Sequence, residues 1–313
     1  MRMVGDGQDG QGSAPVGALA EAKDRQGLTL SVCLPARDEE ATVGRIVTAI
    51  RTELMEQVPL VDEIVVVDDG SVDGTARAAH LAGARVCAAE SVLPTLPTGT
   101  GKGNALWKSL FVSEGDVLCF LDADIRNFAP HFVTNLVAPL LADSEVGMVK
   151  GYYRRPIDGE PNGGGRVTEL MARPLVSHLF PDLAQFIQPL SGEYAARREV
   201  LEAVPFVQGW GVEIGLLVDV AARFGIEAVA QADLGVRVHR NRSLDDLGIQ
   251  ALAILITGLR RAGLAPDHSS VITELRRFDA ELRPEHVAVE VRERPPMLTI
   301  PVYRAKFGRE LSA

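Results

Sequence analysis

DVLCFLDAD, residues 116–124, places two carboxylates immediately after a short apolar run. The run VLCFL has no charged side chain, as expected for a strand that is covered on both faces of a sheet. Asp122 and Asp124 follow it at positions i and i+2, with the small Ala123 between them. Such carboxylates need partners, because an unpaired buried charge is costly. The pattern alone leaves three roles open: ligands of a divalent cation, partners of an arginine, or the end of a strand and the cap of the next segment.

Apolar runs alternate with helical periodicity on the N-terminal side of this stretch. LTLSVCLP at 28–35, EIVVVDD at 63–69 and ARVCAA at 84–89 have the composition of buried strands. Residues 43–54 carry apolar side chains at the i, i+3, i+4 spacing of a helix. This alternation predicts an α/β fold with a mostly parallel central sheet and helices on both faces. Ligands of such folds bind outside the carboxyl ends of the strands, which makes three segments the first candidates for a site: 35–39, 68–71 and 122–124.

The composition disfavours several classes of function. The 313 residues include 32 Lys and Arg against 42 Asp and Glu, a net charge of −10. We expect no nucleic-acid partner, because nucleic acid rewards clustered basic residues. No apolar stretch reaches the roughly 18–20 residues of a membrane span, so we expect no membrane partner. Cys33, Cys87 and Cys119 lie far apart in apolar runs, and no signal peptide is evident. Buried thiols and a cytoplasmic location are therefore predicted.

Changes of composition along the chain predict four parts. Residues 1–27 are rich in Gly, Ala, Gln and charge, which predicts a disordered leader. Residues 28–150 form the strand-rich half, and residues 151–266 form a helical and mixed second half of the same domain. Residues 267–313 are charged and contain proline, which favours a peripheral tail or an oligomerisation arm. Together with this tail, an apolar helix predicted at 247–259 favours a homodimer.

Two glycine-rich segments carry cations at predicted helix starts. GTGKG at 99–103 places Lys102 where a helix begins and suits a phosphate, although its spacing is not that of a P-loop. GGGRVT at 163–168 places Arg166 and Thr168 in the same way. The second segment predicts either an anion site or a flexible loop with a helix cap.

The second half also offers polar ligands near its strands and helices. RVHRNR at 237–242 has three arginines and a histidine without an acid, which predicts an anion site or an exposed rim of arginines. His239 in this run is suited to a metal as neutral imidazole, or to a phosphate. Trp210 and Glu213 lie at the start of a helix predicted at 212–224. They suit a sugar, although an N-terminal Glu also stabilises a helix dipole.

These motifs together resemble a known family. PARDEE, VVVDDGSVDGT and FLDAD resemble the nucleotide-sugar half of GT-A glycosyltransferases. Between residues 28 and 264, longer motifs resemble glucosyl-3-phosphoglycerate synthases of glycosyltransferase family 81: GKGNALW, YYRRP, GGGRVTEL, ARPL, QPLSGEYAARRE, GWGVEIGLLVD and LGVRVHRNR. The resemblance implies a GT-A-type fold and a retaining, metal-dependent transfer of glucose from UDP-glucose or GDP-glucose to the 2-hydroxyl of 3-phospho-D-glycerate. A related class transfers mannose from GDP-mannose to the same acceptor. A catalytically silent nucleotide-sugar-binding protein is a further alternative.

The resemblance also implies a role for each matching position. The residues implied to hold the nucleotide are Pro35, Ala36, Arg37, Asp38, Glu39, Asp69 and Lys102. Those implied to contact the rest of the donor are Asp122, Ala123, Trp210, Gly211, Val212, Glu213, Arg237, Arg240 and Arg242. Those implied to hold the acceptor are Gly165, Arg166, Val167, Thr168 and Asn241. Asp124 and His239 would bind Mg²⁺ or Mn²⁺, and catalysis would rest on Glu213, Asp124 and Lys102.

Two positions depart from the family pattern, and the stereochemistry limits the mechanism. Asp69 stands where the resemblance leads us to expect serine, and Trp210 where it leads us to expect tyrosine; both are among the implied donor contacts. The family retains anomeric configuration, yet no carboxylate is marked by the sequence as a covalent nucleophile, unlike the paired acids of retaining glycosidases. We therefore expect front-face attack, in which the acceptor hydroxyl loses its proton towards the departing phosphate.

Overall fold

The computed structural model describes residues 3–4, 15–156, 164–238, 244–265, 273–279 and 281–310. Its strands are β1 Met3–Val4, β2 Leu30–Ala36, β3 Glu63–Asp68, β4 Arg85–Ala88, β5 Val117–Phe120, β6 Met148–Arg154, β7 Tyr194–Arg197, β8 Phe206–Val207, β9 Val229–Val236, β10 Thr273–Phe278, β11 Pro284–Val289 and β12 Glu293–Arg294. Its α-helices are α1 Val16–Arg25, α2 Val43–Arg51, α3 Thr75–Ala82, α4 Lys102–Val112, α5 His131–Ala142, α6 Arg173–Leu179, α7 Arg198–Leu201, α8 Val212–Phe224, α9 Leu244–Arg261 and α10 Pro301–Phe307. Short π-helical turns at Thr52–Glu56 and Thr168–Ala172 adjoin α2 and α6, and 3₁₀ turns lie at Ala89–Ser91, Pro181–Leu183, Ile226–Ala228 and Met297–Thr299.

Eight of the described strands form one sheet, in the order β1-β9-β6-β7-β5-β2-β3-β4. Its pairs are parallel except those of β7, which runs antiparallel to both β5 and β6. The expected mostly parallel sheet is confirmed. Because β7 runs the opposite way, its first residue Tyr194 pairs with Phe120 and Lys150 near the carboxyl ends of β5 and β6. The chain entering β7 therefore reaches the same edge of the sheet as the end of β5.

The sheet is buried on both faces, as the apolar composition of its strands predicts. Helices α1, α2, α3 and α5 cover one face, which includes Val32 and Leu34 of β2. On the other face, which includes Cys33, the packing partners come from α4, α8 and α10. The apolar positions predicted within 43–54 are buried, and α8 spans the residues 212–224 expected for it. No helix in the described part of the chain is both long and apolar enough to span a bilayer.

The expectation of a disordered leader through residue 27 is wrong for residues 15–27. Helix α1 buries Leu19 and Ala20 in the core formed with α5. Lys23 is also buried, and its Nζ lies 2.7 Å from Asp62 Oδ1 in an ion pair. Composition concealed this helix because a ten-residue helix needs only a few apolar side chains to anchor it.

The expectation of a peripheral tail at 267–313 is also wrong for much of its length. Strand β12 pairs with β8, and Met297 and Tyr303 are completely buried. Tyr303 donates a 2.6 Å hydrogen bond to Glu202 Oε2, and Trp107 Nε1 donates one of 2.8 Å to the Pro295 carbonyl. The segment looks peripheral in composition because its few apolar residues are spread among charges. An oligomerisation role for it stays a prediction.

We predict that Tyr303→Ala destabilises the fold by about 3–5 kcal/mol, the cost of removing a large buried aromatic side chain. The measurement is urea unfolding of the full chain. Val302→Ala is the matched control, because Val302 is the preceding residue of α10 and half of its surface is exposed. We expect the control to change stability by no more than about 0.5 kcal/mol. Equal losses in the two variants would contradict the placement of α10 in the core.

Candidate active site

The carboxyl end of β5 opens into a cavity of about 850 Å³, including the solvent at its mouth. Other elements that supply residues to its lining include the starts of α4 and α8, the segment that follows β9, the turn at residues 165–168, and α9. The sequence-predicted residues that line the cavity are Lys102, Asp122, Asp124, Gly165, Arg166, Val167, Thr168, Trp210, Glu213 and Arg237. The structure thus brings the catalytic, sugar-side and acceptor-side candidates together.

The Asp122 carboxylate is held between two cations. Lys102 Nζ lies 2.5 Å from its Oδ1, and Arg237 Nη2 lies 2.8 Å from its Oδ2. Burial alone would raise the pKa of Asp122, but the charges of Lys102 and Arg237 outweigh it and hold the pKa well below its usual range. Asp122 is therefore ionised at every physiological pH.

Lys102, the first residue of α4, also contacts Glu213 in the first turn of α8, with Nζ 2.7 Å from Oε1. Burial opposes the charge on Lys102, but Asp122 and Glu213 overcome this effect and raise its pKa above the ordinary value. Lys102 is therefore a fixed positive charge at neutral pH. Of the three roles left open for the acidic pair, that of arginine partner is observed, because Arg237 Nη2 also lies 2.7 Å from Asp124 Oδ1.

Arg237 is buried beneath the cavity, with only 4% of its side chain exposed. It does not belong to an exposed rim, which was one expectation for the 237–242 run. Val238, the next residue, is partly exposed, as alternation along an extended chain predicts. The remaining predicted residues of this run lie outside the described part of the chain: His239, Arg240, Asn241 and Arg242.

The nucleotide-side candidates lie at the ends of β2 and β3, beside the loop that leads into α4. Asp69 Oδ2 accepts a 2.9 Å hydrogen bond from the Gly101 backbone N–H, and Arg37 Nη1 lies 4.0 Å from the same oxygen. Asp38 has a φ of 56°, and its Oδ1 accepts from the Val72 N–H at 2.8 Å. These contacts fix the loop between β2 and α2. The other nucleotide-side candidates, Pro35, Ala36 and Glu39, lie in β2 or directly after it.

The acceptor-side candidates lie in a turn that begins at Gly165. Gly165 has a φ of +78°, a conformation that glycine adopts without steric cost. The Glu169 N–H bonds back to the Gly165 carbonyl at 3.0 Å, and Thr168 is buried. Arg166 and Thr168 thus stand at the start of a helical segment, which supports the anion-site interpretation over a flexible loop.

Asp124 and Asp122 form a donor set that suits a hard divalent cation. No group of three or more His, Cys, Asp or Glu side chains arranged for a metal occurs among the described residues. Mg²⁺ is commonly held by one or two carboxylates together with substrate phosphates, so a large protein cage is not required. The residues present therefore fit an ion that also takes ligands from a bound diphosphate.

Comparisons with known proteins agree with this geometry. The sequence model of Glycosyl transferase family 2 matches residues 31–203. Over 303 residues the chain is 43% identical to the glucosyl-3-phosphoglycerate synthase of Petrotoga mobilis, and the match covers 93% of each chain. The chain belongs to the glucosyl-3-phosphoglycerate synthase family.

Solved structures of this family have the same architecture. The glucosyl-3-phosphoglycerate synthase from Mycobacterium tuberculosis in complex with Mn²⁺, UDP-glucose and phosphoglyceric acid is 43% identical, with a TM-score of 0.84 over 95% of this chain and 98% of that one. A structure of the same enzyme with Mg²⁺ and UDP has 43% identity and a TM-score of 0.82, covering 92% and 96%. The expected GT-A-type fold and family are confirmed.

Sequence reasoning missed four residues around the site: Tyr153, Arg155, Gly192 and Glu193. All four lie in motifs that had been quoted for the family resemblance, YYRRP and SGEY, but no role was given to them. A Cβ at Gly192 would lie 2.7 Å from the Asp122 carboxylate oxygens, so a larger residue there would have to displace the side chains of this ion cluster. Gly192 and Glu193 reach the site because β7 runs opposite to its neighbouring strands. Periodicity in the sequence does not reveal that direction.

The buried Lys150 of β6 predicts a pH dependence of stability. Its Nζ donates a 2.7 Å hydrogen bond to the Ser191 carbonyl, and burial lowers the pKa of Lys150 to about 8. Unfolding returns the pKa to its ordinary 10.5, so the unfolded chain binds more protons between these values. The contribution of Lys150 to stability should therefore rise with pH in this window, by about 2 kcal/mol between about pH 8 and 10, whereas the buried thiols of Cys33 and Cys119, whose pKa burial raises, act in the opposite direction. We predict that the stability of Lys150→Met, relative to that of the unsubstituted chain, falls by about 2 kcal/mol between these pH values, as measured by urea unfolding at both.

The matched control for this prediction is Lys306→Met. Lys306 is a lysine of α10 whose Nζ lies 2.7 Å from the surface residue Glu114. Because Lys306 is not buried in the sheet, the stability of this variant relative to the unsubstituted chain should not change between the two pH values. If the relative stability of Lys150→Met is equally constant, Lys150 does not contribute to the pH dependence.

Proposed function

We propose that the chain is a retaining glucosyltransferase that moves glucose from UDP-glucose to the 2-hydroxyl of 3-phospho-D-glycerate. One observation carries the proposal: Asp122, Asp124, Glu213 and the turn containing Arg166 line a single cavity. A donor and an acceptor held by these residues would meet there. The Mycobacterium tuberculosis relative holds UDP-glucose, phosphoglyceric acid and Mn²⁺ together, which supports the same pair of substrates here.

The cations at the carboxyl end of β5 would stabilise the departing diphosphate. When the bond between the sugar C1 and the phosphate oxygen breaks, negative charge grows on that oxygen. Lys102 and Arg237 are fixed positive charges whose side chains are already desolvated and oriented. Charges placed in advance in this way stabilise a transition state without costly reorganisation. Arg240 and Arg242 would add to them at the pyrophosphate.

The ion pairs also support front-face attack over a covalent intermediate. Asp122 contacts two cations, and Glu213 contacts Lys102. A carboxylate neutralised in this way is a weak nucleophile. The acceptor 2-hydroxyl would therefore attack C1 directly and pass its proton to the departing phosphate oxygen, while Glu213 would accept hydrogen bonds from the hydroxyls of the sugar.

A divalent cation belongs to this proposal. Asp124, with His239, would hold Mg²⁺ or Mn²⁺ next to the diphosphate. The structures of the relative with Mn²⁺ or Mg²⁺ support the presence of a divalent ion. When bound, such an ion supplies charge neutralisation at the phosphate oxygens. The protein's own contribution is the placement of Asp124, whose carboxylate forms an ion pair with Arg237.

We further infer a cytoplasmic homodimer that does not bind nucleic acid. The three cysteines are free thiols, as is usual in a reducing compartment. Exposed Phe278 and Leu282 on the β10–β11 hairpin support contact with a second copy. The net charge of −10 disfavours nucleic acid.

We predict that purified chain with 3-phosphoglycerate and Mg²⁺ or Mn²⁺ releases nucleoside diphosphate fastest from UDP-glucose. The comparison uses GDP-glucose and GDP-mannose at equal concentration, with coupled detection of the diphosphate. A chelator should abolish release, and added metal should restore it, because the metal neutralises the leaving group. Faster release from GDP-mannose would assign the mannosyl alternative. No release from any donor would contradict an enzyme and favour a silent nucleotide-sugar-binding protein.

We predict that Arg166→Ala raises the KM for 3-phosphoglycerate roughly 30-fold, corresponding to the loss of one charged contact of about 2 kcal/mol. The KM for UDP-glucose should stay within about twofold. Arg173→Ala is the matched control, because Arg173 follows in the same segment but pairs with Glu169 and does not line the cavity. An unchanged acceptor KM in Arg166→Ala would contradict the acceptor assignment.

A further inference from the structure

A buried tyrosine and glutamate lie between two arginines at the base of the cavity. The Tyr153 hydroxyl donates to Glu193 Oε2 at 2.6 Å and accepts from Arg155 Nη2 at 2.7 Å. Arg237 Nη1 lies 3.4 Å from the same hydroxyl, and Arg237 Nε lies 3.0 Å from Glu193 Oε1. The phenol hydroxyl thus contacts both arginines, and the carboxylate contacts Arg237.

The first arginine, Arg237, has its nitrogens divided between two directions. Its Nε faces Glu193, while its Nη2 reaches Asp122 and Asp124 at 2.8 and 2.7 Å. The contact between Nε and Glu193 Oε1 is an ion pair without hydrogen-bond geometry, so Glu193 attracts one side of the planar, rigid guanidinium while Nη2 points to the two aspartates. Glu193 therefore contributes to the orientation of the cation that contacts both carboxylates at the end of β5.

The second arginine, Arg155, lies on the acceptor side. It lines the cavity, and its guanidinium carbon is 4.9 Å from the centre of the Tyr153 ring. Its backbone carbonyl accepts from the Gly164 N–H at 2.9 Å, and its Nη1 is 3.5 Å from the position of a Cβ at Gly165. Tyr153 therefore holds Arg155 against the turn that carries Arg166.

Neither Tyr153 nor Glu193 lines the cavity, and Glu193 has no exposed surface. A completely buried carboxylate is costly, and packing alone does not require one here. Burial raises the pKa of Glu193 and that of Tyr153, so the phenol keeps its proton and remains a donor. The pair is suited to holding other side chains and not to reacting.

We propose that Tyr153 and Glu193 are positioning residues: Glu193 orients Arg237 towards the donor carboxylates, and Tyr153 holds Arg155 beside the acceptor turn. This inference rests on the proposed function, because donor and acceptor sides are defined by it. The pair then sets the relative placement of two cations that serve different substrates. Loss of the phenol hydroxyl should weaken acceptor binding, whereas loss of the Glu193 charge should impair the donor side.

The test compares substitutions of Tyr153 and Glu193 with matched substitutions at a second buried group of tyrosine, glutamate and arginine. Tyr303 donates to Glu202 Oε2 at 2.6 Å and accepts from Arg198 Nη1 at 3.3 Å, and none of the three lines the cavity. Tyr153→Phe and Tyr303→Phe each delete one hydroxyl, and Glu193→Gln and Glu202→Gln each delete one buried charge. The pairs therefore separate loss of stability from loss of placement.

We expect Tyr153→Phe to raise the KM for 3-phosphoglycerate about tenfold, with the KM for UDP-glucose within about twofold. Glu193→Gln should lower kcat/KM for UDP-glucose about tenfold with little change in acceptor KM. Tyr303→Phe and Glu202→Gln should lose comparable stability in urea without either kinetic change. In an Arg155→Ala background, Tyr153→Phe should have no further effect on acceptor KM, since the side chain that it positions is gone.

Several results would overturn the inference. One is an acceptor KM in Tyr153→Phe equal to that in Tyr303→Phe, and another is an additive effect of Tyr153→Phe on Arg155→Ala. If Tyr153→Phe does not fold, Glu193→Gln decides by the same comparison with Glu202→Gln. Failure of the proposed function is seen separately, because the unsubstituted chain would then release no diphosphate with 3-phosphoglycerate and any donor.

Discussion

The ion pairs of Asp122 are the constraint on which the site depends. This carboxylate lies at the end of a strand buried on both faces, where an isolated charge would be strongly unfavourable. It is tolerated because Lys102 and Arg237 approach it from two different elements. Each of those cations needs further carboxylates, and Glu213 and Glu193 meet that need. The start of α4, the start of α8, the entry to β7 and the end of β9 are thus held together by charge compensation.

This network explains how the protein can present strong cations in a chain with a net charge of −10. Without substrate, the carboxylates satisfy Lys102 and Arg237, so their burial does not destabilise the fold. In the proposed function, a diphosphate that enters the cavity would compete for the same cations, and a divalent ion at Asp124 would offset the charge that the carboxylates then carry. The cations are desolvated during folding, which would leave an electrostatic environment already arranged for the leaving group.

A feature of this fold could be predicted from the sequence where the residues that mark it are contiguous in the chain. Strand ends and helix starts in the first half are marked by contiguous residues. The acids at 122–124 and Lys102 could therefore be predicted as site residues. Tyr153 and Glu193 are 40 residues apart and meet only because β7 runs antiparallel between β5 and β6. No period in the sequence indicates that reversal. Similarly, the anchoring of α1 and α10 depends on a few long-range contacts, such as Lys23 with Asp62, that composition cannot show.

The two departures from the family pattern differ in what they change. Asp69 still performs a local task, since its carboxylate accepts from the Gly101 N–H and thereby joins the end of β3 to the loop before Lys102. A serine hydroxyl could also accept from a backbone N–H, but it would not bring a negative charge near Arg37. Burial raises the pKa of Asp69, so this charge is less stable than that of Asp122. Trp210 lines the cavity and offers an indole ring in place of the phenol expected there. In the proposed function, the first change would therefore act through electrostatics beside the nucleotide and the second through the shape of the sugar pocket.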